Sequence, residues 1–296
     1  MRCCLIFRLV CLMGIGHGGP MLLKIGEVFG HSVDNFSATA NADRSAKNCP
    51  FRKARCNKGN NADPLGICSF SDGAAATVVC PARFQESLRL FADAGRLAFG
   101  PDRKVAAIPE IRVLRVEVPG KPPRRIGKID YMLAALDEKG TAVDFAALEV
   151  QAVYISGKSI RPAFDHFLEK KALPSFAERR PDFRSSAQKR LMPQLSLKVP
   201  VFRRWGKKFF VAVDQTFFDA LPAMQTVDHI ENSEVTWLVY PFKKYGKLFE
   251  MGTPKAVFTL WDEVVAALRE GSAPKPGEML AELQANIQRG HVVTTN

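Results

Sequence analysis

The stretch IGKIDYMLAALDEKGTAVDFAALEVQAVYIS (126–156) restricts the fold of this chain more than any other. It holds two apolar, strand-forming runs joined at LDEKG, where Asp137 and Gly140 supply turn chemistry, so an antiparallel hairpin is predicted. Its second run, FAALEVQ, puts Glu149 and Gln151 two positions apart in an otherwise apolar strand, and residues two apart share a face. Asp130 lies near the start of the first run. Counting back from a turn between Glu138 and Lys139 pairs Asp130 with about position 147, within a diagonal neighbour's reach of Glu149. Two carboxylates so placed in an apolar sheet repel and raise each other's pKa unless a cation sits between them. Hard oxygen ligands in that arrangement call for Mg.

The spacing D-x18-E-x-Q is close to the Asp…Glu-x-Lys pattern of the PD-(D/E)xK nucleases, with Gln151 where that pattern usually has Lys. Taken alone it also fits a hairpin with one exposed edge acid. Asp144 and Glu117 are spare acids, and a regular strand turns Asp144 to the face opposite Glu149.

Charge narrows the partner. Lys plus Arg number 42 against 30 acidic residues, a net charge of +12, which suits a polyanion: nucleic acid first, an anionic membrane surface second. A solvated basic face is the plain alternative. The basic residues cluster in KPPRRIGK (121–128), KKALPSFAERRPDFRSSAQKR (170–190), FRRWGKK (202–208) and FKKYGK (242–247), bracketing the acids in sequence. Neutralising a phosphate backbone requires such charge.

The opening MRCCLIFRLVCLMGIGHGG imitates a signal peptide, but Arg8 interrupts its apolar run and no clear small-x-small cleavage site precedes Gly18. Residues 1–20 are read as a non-native or unstructured extension, with Met21 as the natural start. The run is also too short to span a membrane. Cys3, Cys4 and Cys11 then carry no structural role. Cys49, Cys56, Cys68 and Cys80 follow with spacings C-x6-C-x11-C-x11-C, among turn-forming residues and little apolar matter. So small a segment needs a staple, either two disulfides or one four-thiolate metal site. A cytoplasmic location favours metal, and an S4 set suits Zn or Fe in a closed, structural site.

PARFQESLRLFADAGRLAFG (81–100) reads as one amphipathic helix with Phe84, Leu88, Phe91 and Leu97 facing a core. After the hairpin, 161–172 and 185–199 look helical, the second kinked or ended by Pro193. KKFFVAVDQTFFDAL gives a buried strand and short helix, and EVTWLVYPF another strand. Two amphipathic helices end the chain. Strands and helices in this order predict a mixed α/β sheet with helices on its faces.

EVFGH (27–31), CPF (49–51), GIC (66–68), CP-x-R (80–83), LAFG (97–100), IDYMLA (129–134) and LEVQ (148–151) stand in order along the chain. So arranged, they resemble the NotI-type restriction endonucleases, over about residues 21–245. The resemblance implies a mixed-sheet PD-(D/E)xK nuclease core (84–296) behind a four-cysteine metal-binding module (21–83). It implies a type II endonuclease cutting double-stranded DNA at a GC-rich palindrome with Mg. Asp130 and Glu149 would bind the metal, and Gln151, which that family carries in place of lysine, would orient the attacking water. Cys49, Cys56, Cys68 and Cys80 would hold a structural iron. A palindromic site is matched by a homodimer. Arg184, Gln188, Lys189, Arg190 and Gln194 are candidates for base readout. The expected alternative is a metal-stapled DNA-binding protein without catalysis.

Overall fold

The computed structural model describes residues 24–60, 62–71, 75–173, 179–269 and 274–290. The expected extension over residues 1–20 lies outside them, as does Met21. The chain forms two compact units, neither continuous in sequence. One is Met1–Ser87 with Ala152–Asp182 and Phe242–Gly252; the other is Leu88–Gln151 with Phe183–Pro241 and Thr253–Asn296. The later segments of the first unit come from the region that a linear division assigns to the nuclease core.

In the first unit, His31–Ser32, Lys24–Val28, Ile67–Ser71 and Ala76–Val78 form an antiparallel sheet in that order. Ile25, Val28, Phe29, Ile67 and Phe70 pack with Ile160, Phe164 and Phe167, the last two from the helix Arg161–Lys170. Phe29 and Phe164 meet edge to face, centroids 6.0 Å apart. The cysteine-bearing segment therefore does possess a hydrophobic core. Its local sequence looks too polar because four of the ten buried residues of that core arrive from residues 155–167.

The short motifs of this unit interlock. Phe29 donates its N–H to the Gly66 carbonyl at 2.6 Å, and a Cβ at Gly66 would come 2.4 Å from the Phe29 ring. Gly30 has φ +79°, and a Cβ there would stand 2.3 Å from Pro50 Cγ. EVFGH, CPF and GIC thus fit one another through places where only glycine leaves room. Gly66→Ala is expected to destabilise the protein by about 1–3 kcal/mol through overpacking against a buried ring. Chemical denaturation would measure this, and an unchanged midpoint would remove the argument.

Arg83 closes the same cluster. Its Nε donates to both oxygens of Glu27 at 3.0 and 3.1 Å, and its Nη2 to the Phe249 carbonyl at 2.6 Å. Nη1 lies 2.9 Å from Glu86, and the guanidinium sits over the rings of Phe51 and Phe242 at 4.6 and 4.9 Å. A planar, permanently charged fork is the side chain that can be buried this way. The first and fourth motifs, EVFGH and CP-x-R, are joined by this ion pair.

The second unit is built on a six-stranded mixed sheet in the order Lys255–Thr259, Val235–Tyr240, Phe209–Asp214, Ala142–Val150, Lys121–Leu136, Lys104–Val118. The middle three neighbours, Val235–Tyr240, Phe209–Asp214 and Ala142–Val150, run parallel, and the remaining pairings are antiparallel. The predicted hairpin is its Lys121–Leu136 and Ala142–Val150 pair, closed by Gly140 at φ +81°. Phe209–Val213 and Val235–Tyr240 are fully covered, as near-continuous apolar strands in the middle of a sheet must be. The sequence Arg89–Phe99 helix, three antiparallel strands, Met192–Trp205 helix, fourth strand fits a nuclease-like core.

Two helical expectations change. Residues 81–100 are not one helix: Glu86 is extended, and Ser87 and Leu88 have φ of +53° and +57°, which separates a 3-10 stretch from Arg89–Phe99. Leu88, expected in the core, is 59% exposed. Pro193 does not stop the second post-hairpin helix, which runs through 183–205. The run is irregular where the proline falls: a π-helical stretch, Ser186–Leu191, lies immediately before Met192 and Pro193, and the altered hydrogen-bond pattern accommodates the missing N–H inside the helical run. The amphipathic helices Trp261–Arg269 and Pro276–Asn286 form as expected, and the latter buries none of its residues.

Candidate active site

Tyr131 pairs with Leu148, which sets Asp130 directly across from Glu149, a register two residues from the count made on sequence. The carboxylates reach across to each other's strands. Asp130 Oδ2 accepts the Val150 N–H at 2.9 Å, and the Asp130 N–H lies 3.4 Å from Glu149 Oε1. Glu149 is only 2% exposed, while Asp130 and Gln151 are half-buried. Gln151 is anchored through its backbone, its N–H donating to the Ala212 carbonyl of the next strand at 2.9 Å.

Burial, and secondly the Asp130 carboxylate, push the Glu149 carboxyl up to about 7 against the opposing pull of Lys198. Lys198 was not foreseen. It lies on the Met192–Trp205 helix and donates to Glu149 Oε1 at 2.7 Å and to Gln194 Oε1 at 3.1 Å. A signal was present. Leu195, Lys198, Val199 and Phe202 recur at helical spacing on a stripe that is otherwise apolar and buried. A lysine on such a stripe needs a carboxylate partner. The helix is seated by Phe202, which meets Phe145 and Phe209 of the sheet edge-on at 6.4 and 5.4 Å.

The spare acids stand apart. Asp144 pairs with Lys207; partial burial pushes its carboxyl up, but that hydrogen bond wins and holds it below the ordinary value. Glu117 is exposed. Of the base-readout candidates, Arg184, Lys189 and Arg190 are exposed and Gln188 is half-buried, whereas Gln194 is engaged with Lys198. KPPRRIGK lies within the Lys121–Leu136 strand itself. There Arg125 faces Arg115 and Lys128 faces Arg112 across the ribbon formed with Lys104–Val118.

The four cysteines of the first unit are free thiols, so the two-disulfide alternative does not describe them. Burial pushes the thiols of Cys49, Cys56 and Cys68 up, and in each the charge of Cys80 adds to the shift, so the four are neighbours. Backbone amides act the other way: Arg52 and Phe51 on Cys49, Lys58 on Cys56, Gly30 on Cys68. Nevertheless, among the described residues no group of three or more His, Cys, Asp or Glu side chains stands in metal-holding geometry. The expected four-cysteine metal module is thus not supported by the arrangement of its thiols. The Lys58 ammonium instead donates to the carbonyls of Ile67 and Val79, the residues preceding Cys68 and Cys80, at 2.8 and 2.6 Å.

A mixed α/β core with opposed acids on adjacent strands is the kind of frame nucleases use. A family model described as Restriction endonuclease NotI matches residues 27–251, and the chain belongs to the NotI restriction endonuclease family. It is accordingly a site-specific restriction endonuclease acting on double-stranded DNA. No curated protein matches the chain. Among the described residues, no helix is long and apolar enough to cross a membrane.

Proposed function

We propose that this endonuclease hydrolyses phosphodiester bonds with Mg at a PD-(D/E)xK centre made of Asp130, Glu149 and Gln151. The observation that carries the reading is the placement of two carboxylates opposite each other on adjacent strands, one of them buried. Such a pair has the donor chemistry of a hard divalent site, since the Asp130 carboxylate disfavours ionisation of Glu149 until a cation joins them. Asp130 and Glu149 would hold the ion. When bound, Mg supplies charge neutralisation at the scissile phosphate and a lowered pKa for a coordinated water. Gln151 donates or accepts a hydrogen bond to orient that water but carries no charge. Digestion of plasmid DNA with Mg, with and without chelator, tests the reading. Discrete fragments that vanish on chelation support it, and a gel shift without cleavage in any metal favours a non-catalytic DNA-binding protein.

The Glu149 carboxyl at about 7 sets a pH dependence. A carboxyl raised above its unfolded value keeps its proton between about pH 4.5 and 7, so its stabilising effect in the metal-free protein is lost as pH rises through that window. Metal must displace this proton, so divalent affinity rises with pH and then levels. Mn titrated calorimetrically is expected to bind about tenfold more weakly near pH 6 than near pH 8. Equal affinity at both would remove Glu149 as the titrating ligand.

Within the same reading, a GC-rich palindrome is the target, a homodimer supplies the matching twofold axis, and the cytoplasm is the place of action. Cys49, Cys56, Cys68 and Cys80 are proposed to hold one Fe or Zn; four free thiols have the donor chemistry of such a centre, which would have to draw them from their present arrangement into holding geometry. Elemental analysis returning no metal from folded protein would dismiss that centre, and a monomer by sedimentation with cognate DNA would dismiss the dimer.

A further inference from the structure

Lys198 is 4% exposed, and among the described residues its ammonium meets two protein oxygens, Glu149 Oε1 at 2.7 Å and Gln194 Oε1 at 3.1 Å. An ammonium carries three donors, so one is left over in a place with little access to water. Burying a lysine is costly, and a buried ion pair of this type is commonly no more stabilising than apolar side chains of the same volume. Stability alone therefore gives little reason to keep a lysine there. The site does give one. Residue 151, where the strand pattern would place an ammonium, is an amide, so the strand brings no positive charge to the acids. The helix brings one instead, and the π-helical stretch Ser186–Leu191 lies directly before the turn that carries Gln194 and Lys198. Such stretches occur frequently at functional sites.

We propose that Lys198 is the charge-supplying and positioning residue of the reaction, delivering from the Met192–Trp205 helix the ammonium that Gln151 cannot provide. The proposal rests on the nuclease reading of Asp130 and Glu149. Lys198 fixes the Glu149 carboxylate through one N–H. It keeps another for an oxygen of the scissile phosphate or for the attacking water, where negative charge grows on the way to the transition state. It takes no proton and forms no covalent bond to substrate.

The test uses a plasmid that the native chain cuts, with single-turnover rates for Lys198→Met, Lys198→Arg, Gln151→Lys and the double variant Gln151→Lys/Lys198→Met. DNA affinity and Mn affinity are measured in parallel. Lys198→Met is expected to cleave about 100-fold more slowly, the usual cost of losing one preorganised donor, with Mn bound as tightly or tighter because a competing cation has gone. The double variant is expected to regain about tenfold, since its ammonium returns to the strand. A merely structural lysine predicts the opposite pattern: weaker Mn binding, and no rescue from position 151. The proposal is overturned by a fall of less than about tenfold in Lys198→Met, or by a fall without recovery in the double variant. Should Lys198→Met not fold, Lys198→Gln replaces it under the same criteria. A native chain that cuts no DNA with Mg would instead defeat the underlying nuclease reading.

Discussion

Glu149→Gln is expected to lower DNA cleavage by at least about 10³-fold, because metal-ion catalysis contributes several kcal/mol and each 1.4 kcal/mol is a factor of ten. Glutamine keeps the size of the side chain, and its carbonyl still accepts from the Lys198 ammonium, 2.7 Å from Oε1 in the native chain. The buried Lys198 ammonium keeps a hydrogen-bond acceptor but loses its counter-charge, so Glu149→Gln should cost some stability, yet less than Glu149→Ala, which removes the acceptor as well. What is removed is the negative charge proposed to grip a divalent ion beside Asp130. DNA affinity in Ca, which supports binding without turnover in this reading, should change little. Cleavage within about tenfold of the native rate would take Glu149 out of the centre.

The second large effect is structural. Arg83→Met is expected to cost about 3–5 kcal/mol near pH 8, because it leaves Glu27 as an uncompensated buried charge. Glu27 is 1% exposed, and burial pushes its carboxyl up to about 7 even with the Arg83 guanidinium pulling the other way. Between about pH 4.5 and 7 the folded chain holds a proton that the unfolded chain has released, so Glu27's contribution to stability is lost as pH rises through that window. Removing Arg83 moves the folded pKa higher and extends the window upward. The penalty of Arg83→Met should therefore shrink near pH 5.5 and grow near pH 8, as read by urea denaturation at both. Glu27→Gln/Arg83→Met should recover part of the loss, since both charges leave together. A pH-independent penalty would mean that lost packing against Phe51 and Phe242, and not charge, is what Arg83 provides.

Much of the second unit was legible from the chain. Period-two apolar runs, a Gly-containing turn and a long central apolar strand specify the hairpin and the mixed sheet because burial on a pleated surface has a short-range signature. The break at Glu86–Leu88 was not legible, since the apolar spacing on either side of it continues a helical period. Nor was the core of the first unit, assembled from residues around 25–29, 67–70 and 155–167.

By itself, the sequence determined that Asp130 and Glu149 lie on neighbouring strands with Gln151 two positions beyond Glu149, and that the motifs stand in an order that marks the family. These are local facts, set by side-chain alternation and turn residues. Only the tertiary structure decided that Asp130 stands straight across from Glu149, that Arg83 binds Glu27, and that Lys198 meets Glu149 from a helix 49 positions away. Contacts at such separations depend on how whole elements pack, and no periodicity along the chain encodes which buried charge will meet which.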